Sequence, residues 1–194
     1  FLDRDGVINA MVYHKEFGIV DSPANPAEFH LLPGAAEAIR RINNMGFLSI
    51  VISNQPGVAK GKFTVELLDA TLEKMHRDLG QLGARLDAVY YCQHHPEAVV
   101  DAYRQICNCR KPKPGLLYQA AVDWHVDLDG SYIVGDGITD ILAGQGAGCK
   151  TFLVNSRKCY ICDELARQNV EPDYIAKDLA DAVEAIARME EGDL

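Results

Sequence analysis

Long apolar runs are missing from this sequence. Nothing approaches the roughly 18 to 20 consecutive apolar residues that a membrane span needs, and no charged-then-apolar leader opens the chain. A membrane partner is therefore not expected, and the cytoplasm is the default location. Positive charge is also scarce: 19 Lys and Arg stand against 28 Asp and Glu, a formal net charge of −9. Affinity for nucleic-acid backbones comes mostly from Lys and Arg neutralising phosphates, so no nucleic-acid partner is expected. An anionic substrate would need cations gathered locally. Cysteines number only 6; they are unevenly spaced and follow no secretory signal, which argues against a disulfide scaffold and for metal ligands or plain reduced thiols. Internal repeats, low-complexity tracts and linker-like composition shifts are absent as well. The chain opens at Phe1 inside an apolar run, so its first strand is expected to be clipped.

What the chain does have suits one folded α/β domain spanning 1–194. Its 194 residues are 48% apolar and 24% charged, enough for a substantial core and too few for two ordinary domains. Apolar runs at Phe47 to Ser53, Leu86 to Tyr91, Ser131 to Val134 and Thr151 to Val154 read as buried strands, with a short addition at Tyr174 to Ala176. Helical periodicity fills the intervals at Gly34 to Met45, Thr64 to Leu82, Gly115 to Trp124, Ile138 to Gly146 and Leu179 to Met189. This alternation predicts a doubly wound, mainly parallel sheet with helices on both faces. Ligands of such sheets bind beyond the carboxyl ends of the strands, so the residues after each apolar run are the ones to inspect.

Asp3 and Asp5 leave the first run into a glycine turn. Two carboxylates so spaced can reach one site, one as nucleophile or metal ligand and the other as acid and base, though Asp is also an ordinary turn residue. Ser53, Asn54 and Gln55 follow the second run, offering a hydroxyl and a turn with free N–H groups. After the third run comes a Cys/His-rich stretch ending in Arg110, Lys111, Pro112, Lys113 and Pro114; the prolines stiffen the segment and hold a cation in place. Asp136 and Asp140 follow the fourth run. They suit Mg²⁺, which takes oxygen ligands, and they equally suit a helix N-terminus.

As a set, FLDRDGVI, SNQ, RKPKPG and GDGITD resemble the four motifs of the haloacid dehalogenase-like hydrolase superfamily, in order and spread over most of the chain. The form is most similar to small-capped phosphatases of the branch that includes heptose-bisphosphate and histidinol phosphatases. The resemblance implies a Rossmann-like fold without a large cap, and a Mg²⁺-dependent phosphomonoesterase. In it Asp3 is the nucleophile that forms an aspartyl-phosphate, and Asp5 is the acid and base. Ser53 and Lys111 hold phosphoryl oxygens, while Asn54, Gln55 and Arg110 contact the substrate. Asp3, the Asp5 main-chain carbonyl and Asp136 ligate Mg²⁺, with Asp140 behind them. The second aspartate favours a phosphatase over a dehalogenase. The expected partner is a small phosphorylated metabolite, first a heptose bisphosphate cleaved at position 7. Histidinol phosphate or another small metabolite is the alternative; a DNA 3′-phosphatase or a binding protein without turnover stands further off. Gly137, where heptose enzymes usually carry Lys, and the long loop 9–30 with its SPANP run depart from that branch.

The stretch 92–109 carries a further device. Cys92-x-His94 and Cys107-x-Cys109, with 12 residues between the pairs, can close a tetrahedral S₃N zinc site with no open position, or can be ordinary thiols. The resemblance implies Zn²⁺ bound by these four residues in an inserted loop, with His95 as their neighbour. Its 12-residue gap is more like the heptose branch than the histidinol branch. Cys159 and Cys162 form a second pair with no assigned role, and Cys149 reads as a small core residue.

Overall fold

A computed structural model describes residues 1–16, 18–154 and 159–192, with the side chains of 159, 160 and 162 outside that description. Its elements run β1 (Val12–His14), β2 (Ile19–Asp21), α1 (Ala35–Asn44), β3 (Ile50–Asn54), α2 (Val65–Gln81), β4 (Ala88–Cys92), α3 (Gly115–Trp124), β5 (Tyr132–Gly135), α4 (Ile138–Ala147), β6 (Lys150–Leu153), α5 (Cys159–Gln168), β7 (Tyr174–Ile175) and α6 (Leu179–Glu191). β3 pairs in parallel with β4, and β5, β6 and β7 pair in parallel in that order. Leu2 joins the two groups by parallel bridges to Val51 and to Val134. The first segment therefore lies at the centre of one parallel sheet, between β3 and β5.

Burial on both faces follows from the period-2 alternation along each strand. Leu2, Val51, Val134 and Phe152 point to the face covered by α1, α2 and α6, where Ile39, Met75, Leu79 and Val183 meet them. Ile50, Ile52 and Ile133 point to the opposite face, against Leu116, Leu117 and Ala120 of α3 and Ala143 of α4. A row of rings, Phe47, Tyr132, Phe152 and Tyr174, crosses the first face at centroid spacings of 6.1, 5.8 and 5.3 Å. Two helices, α2 and α6, begin where a side chain takes up a free N–H group: Thr64 accepts from Leu67 N, and Asp178 from Asp181 N.

The expected doubly wound parallel sheet is present, with three differences in detail. The strand expected from Phe47 begins at Ile50, because Gly46 ends α1 at φ +84° and Phe47 spends its ring on Tyr132. The segment 9–30, read as a loop, holds the antiparallel hairpin β1–β2, whose strands are too short and too exposed to show an alternating pattern. Helix α5 was not expected from the sequence; its backbone includes Cys159 and Cys162, but the side chains of that pair lie outside the described residues. Among the described residues no helix is long and apolar enough to cross a membrane.

Candidate active site

The carboxyl ends of the central strands deliver the site. Asp3 follows Leu2 directly, Ser53 and Asn54 close β3, and Asp136 follows β5. Because these strands are neighbours in one parallel sheet, residues from distant parts of the chain arrive at the same edge. Two glycines make room there. A Cβ on Gly6 would stand 2.1 Å from Asp136 Oδ2, and its φ of +85° suits glycine alone; a Cβ on Gly135 would stand 2.1 Å from the Asp140 Cβ. Carboxylate oxygens of Asp3, Asp136 and Asp140 lie within 4.8 Å of one another.

Lys111 is brought into this cluster from the loop before α3. The Asn54 side chain clamps its backbone from both sides, donating to Lys111 O at 3.0 Å and accepting from Lys111 N at 3.0 Å. The ammonium donates to Ile52 O at 2.8 Å, pairs with Asp3 Oδ1 at 2.9 Å, and also pairs with Asp140. Burial pulls the Lys111 pKa down, but Asp140 and Asp3 outweigh it and hold it above the ordinary lysine range. Burial pushes the Asp140 carboxyl up to about 7; Lys111 works the other way, while Asp3 and Asp136 add to the rise. Three carboxylates against one ammonium leave surplus negative charge on hard oxygen donors, the donor set that a divalent cation such as Mg²⁺ fits. Both Asp140 oxygens are thus committed, one to Lys111 and the other to Gly137 N at 3.1 Å.

Asp5 lies apart from that trio. Its carboxylate accepts from Arg4, from Asn9 Nδ2 at 2.9 Å, from Ser22 Oγ at 2.9 Å and from Gln55 Nε2 at 2.6 Å. Burial would raise its pKa, yet the Arg4 charge and the bonds from Asn9, Gln55 and Arg4 hold it below the ordinary aspartate value. Gln55, expected to contact substrate, is fully buried here, with its Nε2 also donating to Ser53 Oγ at 3.1 Å. Arg4, Asn9 and Ser22 escaped the sequence reading. The signal for Arg4 was an arginine between two motif aspartates at the end of a buried strand.

The zinc set assembles as expected. Cys92, His94, Cys107 and Cys109 place one ligand atom each within 4.8 Å of the others. Cys92 Sγ stands 3.6 Å from Cys107 Sγ and 3.3 Å from Cys109 Sγ, and His94 Nδ1 stands 3.3 Å from Cys109 Sγ. A tetrahedral ion with metal–sulfur bonds of about 2.3 Å would hold its sulfurs roughly 3.8 Å apart, so three thiols and one imidazole at these spacings fit zinc. His95 points elsewhere, its Nδ1 accepting from Glu97 N at 3.1 Å. Arg110 follows the last ligand, and its Nη1 donates to His94 O at 3.4 Å, so the basic residue is tied to the clip that precedes it.

Comparison with known proteins agrees with the motifs. A family model described as HAD-hydrolase-like matches residues 108–182. The D-glycero-beta-D-manno-heptose-1,7-bisphosphate 7-phosphatase of Escherichia coli K12 is 36% identical over 190 residues, 98% of this chain and 94% of that protein. The Pasteurella multocida protein of the same name is 37% identical over 182 residues, 93% of this chain and 92% of its own. A crystal structure of a D,D-heptose 1,7-bisphosphate phosphatase from B. bronchiseptica, complexed with magnesium and phosphate, superposes with a TM-score of 0.79 at 36% identity and covers 97% of each chain.

Proposed function

The chain belongs to the haloacid dehalogenase-like hydrolases, and from that premise we propose that it removes the 7-phosphate of a D-glycero-D-manno-heptose 1,7-bisphosphate through an aspartyl-phosphate on Asp3. The observation that carries this reading is the buried Lys111 ammonium held against Asp3 Oδ1 at 2.9 Å beside Asp136. A phosphomonoester dianion repels an attacking carboxylate, and a fixed cation at the point of attack lowers that barrier. The heptose substrate rests on the relatives named above and on the length of the loop between the Cys/His pairs.

The residues divide the work as follows. An Asp3 oxygen forms a bond to phosphorus while the bond to the sugar oxygen breaks, and the departing alkoxide takes a proton from Asp5. A water then attacks the phosphorus of the aspartyl-phosphate, gives a proton to Asp5, and releases inorganic phosphate with Asp3 restored. Ser53 Oγ and Lys111 Nζ hold the non-bridging oxygens of the phosphoryl group as it passes to Asp3. Mg²⁺ held by Asp3, Asp136 and the Asp5 carbonyl would supply further neutralisation of the phosphoryl group when bound. Arg110 meets the remainder of the sugar bisphosphate, its planar fork suited to hydroxyls or a second phosphate. Zinc on Cys92, His94, Cys107 and Cys109 would stiffen the loop that presents Arg110 and Lys111. In this reading residues 1–194 form one domain with the zinc loop 92–109 inserted, and the enzyme works in the cytoplasm.

The test is a panel of heptose bisphosphates, histidinol phosphate, nucleotides and DNA 3′-phosphate ends, with Mg²⁺ or with EDTA. Wild-type protein should show its highest kcat/KM on the heptose 1,7-bisphosphate and lose turnover in EDTA and in Asp3→Asn. Preference for histidinol phosphate would replace the substrate. Absence of turnover, or turnover indifferent to Asp3→Asn, would sink the phosphatase itself.

A further inference from the structure

Two segments border the site and carry cations. The turn after β3 holds Lys60 and Lys62, and the stretch 92–110 holds Arg104 and Arg110. Lys62 pairs with Asp21, and Arg104 with Asp101 at 2.9 Å. Among the described residues neither Lys60 nor Arg110 has a carboxylate partner.

The fold draws these two uncovered cations together. Val58 and Phe63 anchor the turn by packing with Leu68, Tyr91 and Tyr103, and leave Lys60 as its exposed cation. Ala59 O accepts from Val99 N at 2.9 Å and from Val100 N at 3.0 Å, so the zinc loop docks on the residue immediately before Lys60. At the other end of that loop Arg110 Nη1 donates to His94 O at 3.4 Å. The neighbouring His95 ring feels both charges: burial lowers its pKa, Lys60 and Arg110 lower it further, and Glu97 acts in the opposite direction. Like charges that converge without a carboxylate between them repel, and an anion that joins them relieves the cost. In a chain of net charge −9, carboxylates to cover such a pair are not in short supply.

A sugar bisphosphate brings two phosphates, each carrying about −1.5 to −2 near pH 7. One meets Asp3, Ser53 and Lys111, and the Lys111 ammonium is already shared between Asp3 and Asp140. The other needs cations of its own, and Arg110 supplies only one. We infer that Lys60 is a specificity-determining residue: from the opposite loop it joins Arg110 in holding the phosphate that is not cleaved, so that the site prefers sugar bisphosphates to monophosphates. This rests on the phosphatase reading given above and adds to it a residue that selects the substrate's charge.

The test compares D-glycero-D-manno-heptose 1,7-bisphosphate with the 7-monophosphate of the same sugar. Both present the same phosphate for cleavage, so the ratio of their kcat/KM values isolates the contribution of the second one. In Lys60→Met this ratio should fall about tenfold or more, as for loss of one charged hydrogen bond, with the loss carried by KM. Lys60→Arg keeps the charge and should restore most of the preference. Added salt should erode the preference more in wild type than in Lys60→Met, because exposed charges are screened. A merely structural role for Lys60 would lower both substrates in proportion. A ratio that stays at its wild-type value in Lys60→Met, or a wild type that does not prefer the bisphosphate, overturns the inference. Wild-type protein without Asp3-dependent turnover would instead overturn the reading beneath it.

Discussion

Replacing Lys111 with Met, similar in length and uncharged, removes the one ammonium from a cluster of three carboxylates. At 2.9 Å the attraction between Lys111 and Asp3 is roughly 6 kcal/mol with an effective dielectric near 20, before the cost of burying the ammonium is subtracted. Asp3 can draw in water to compensate, being the most exposed of the three, but Asp140 is 1% exposed and cannot. Breaking a buried pair by removing one partner costs about 3–5 kcal/mol. For a chain of this length each kcal/mol moves Tm by about 2–4 °C, so metal-free Lys111→Met should melt roughly 6–20 °C below metal-free wild type at pH 8. The deficit has a pH signature. Asp140 already has its carboxyl pushed up to about 7 by burial, and in the variant it loses the cation that opposed this. A carboxyl raised in the folded state destabilises above its unfolded value of 3.8, and the penalty is relieved as pH falls through the folded value. The gap between variant and wild type should therefore narrow towards pH 5. Circular dichroism melts in EDTA at several pH values measure this, and turnover of an aryl phosphate with Mg²⁺ should drop about 10²- to 10³-fold, as for loss of one transition-state donor. A metal-free variant that melts at or above wild type would refute the reasoning, since burial of the ammonium would then outweigh its pairing.

Two further outcomes follow from the zinc loop and from the donors around Asp5. Purified protein should contain about one zinc per chain, lost in Cys107→Ser, and its removal should raise KM by loosening Arg110 without abolishing Asp3-dependent chemistry; zinc-free protein with unchanged kinetics would contradict the clip. The Asp5 pKa is lowered from 3.8 on folding, so those donors contribute stability above about pH 4 that is lost as pH falls through the folded-state value. Unfolding free energy from urea titrations should accordingly fall more steeply below pH 4 in wild type than in Asp5→Asn, and parallel slopes would remove Asp5 from the acid response.

Much of the fold was legible because buried parallel strands and amphipathic helices write strong local signals. Ile50, Val51 and Ile52 alternate between two cores, and their β-branched run announces a strand without tertiary help. Helix α3 was bounded correctly at Gly115 and Trp124, since Pro114 marks its start. The hairpin β1–β2 left no such trace: of its six residues Tyr13, Ile19 and Val20 are exposed and none is fully buried, so burial never imposed an alternation. Helix α5 was missed although Ile161 and Leu165 pack against α4 and β6. Its pattern was read as a cysteine motif and not as one face of a helix.

Candidate chemistry at each strand end was legible in residue type, which decides whether a group can be a nucleophile, a metal ligand or a fixed cation, and the motif resemblance chose among the alternatives. Asp3, Ser53, Lys111 and Asp136, and the four zinc-ligand candidates, could be named from type and order along the chain. What surrounds each acid could be read from the folded chain alone. Asp5 and Asp140 are both motif aspartates, yet one is enclosed by Arg4, Asn9, Ser22 and Gln55, while the other shares an ammonium with Asp3. A carboxylate's charge state depends on the donors and charges packed around it. Arg4 and Asn9 are near Asp5 in the chain, but Ser22, Gln55 and, for Asp140, Lys111 arrive from distances that no local pattern records.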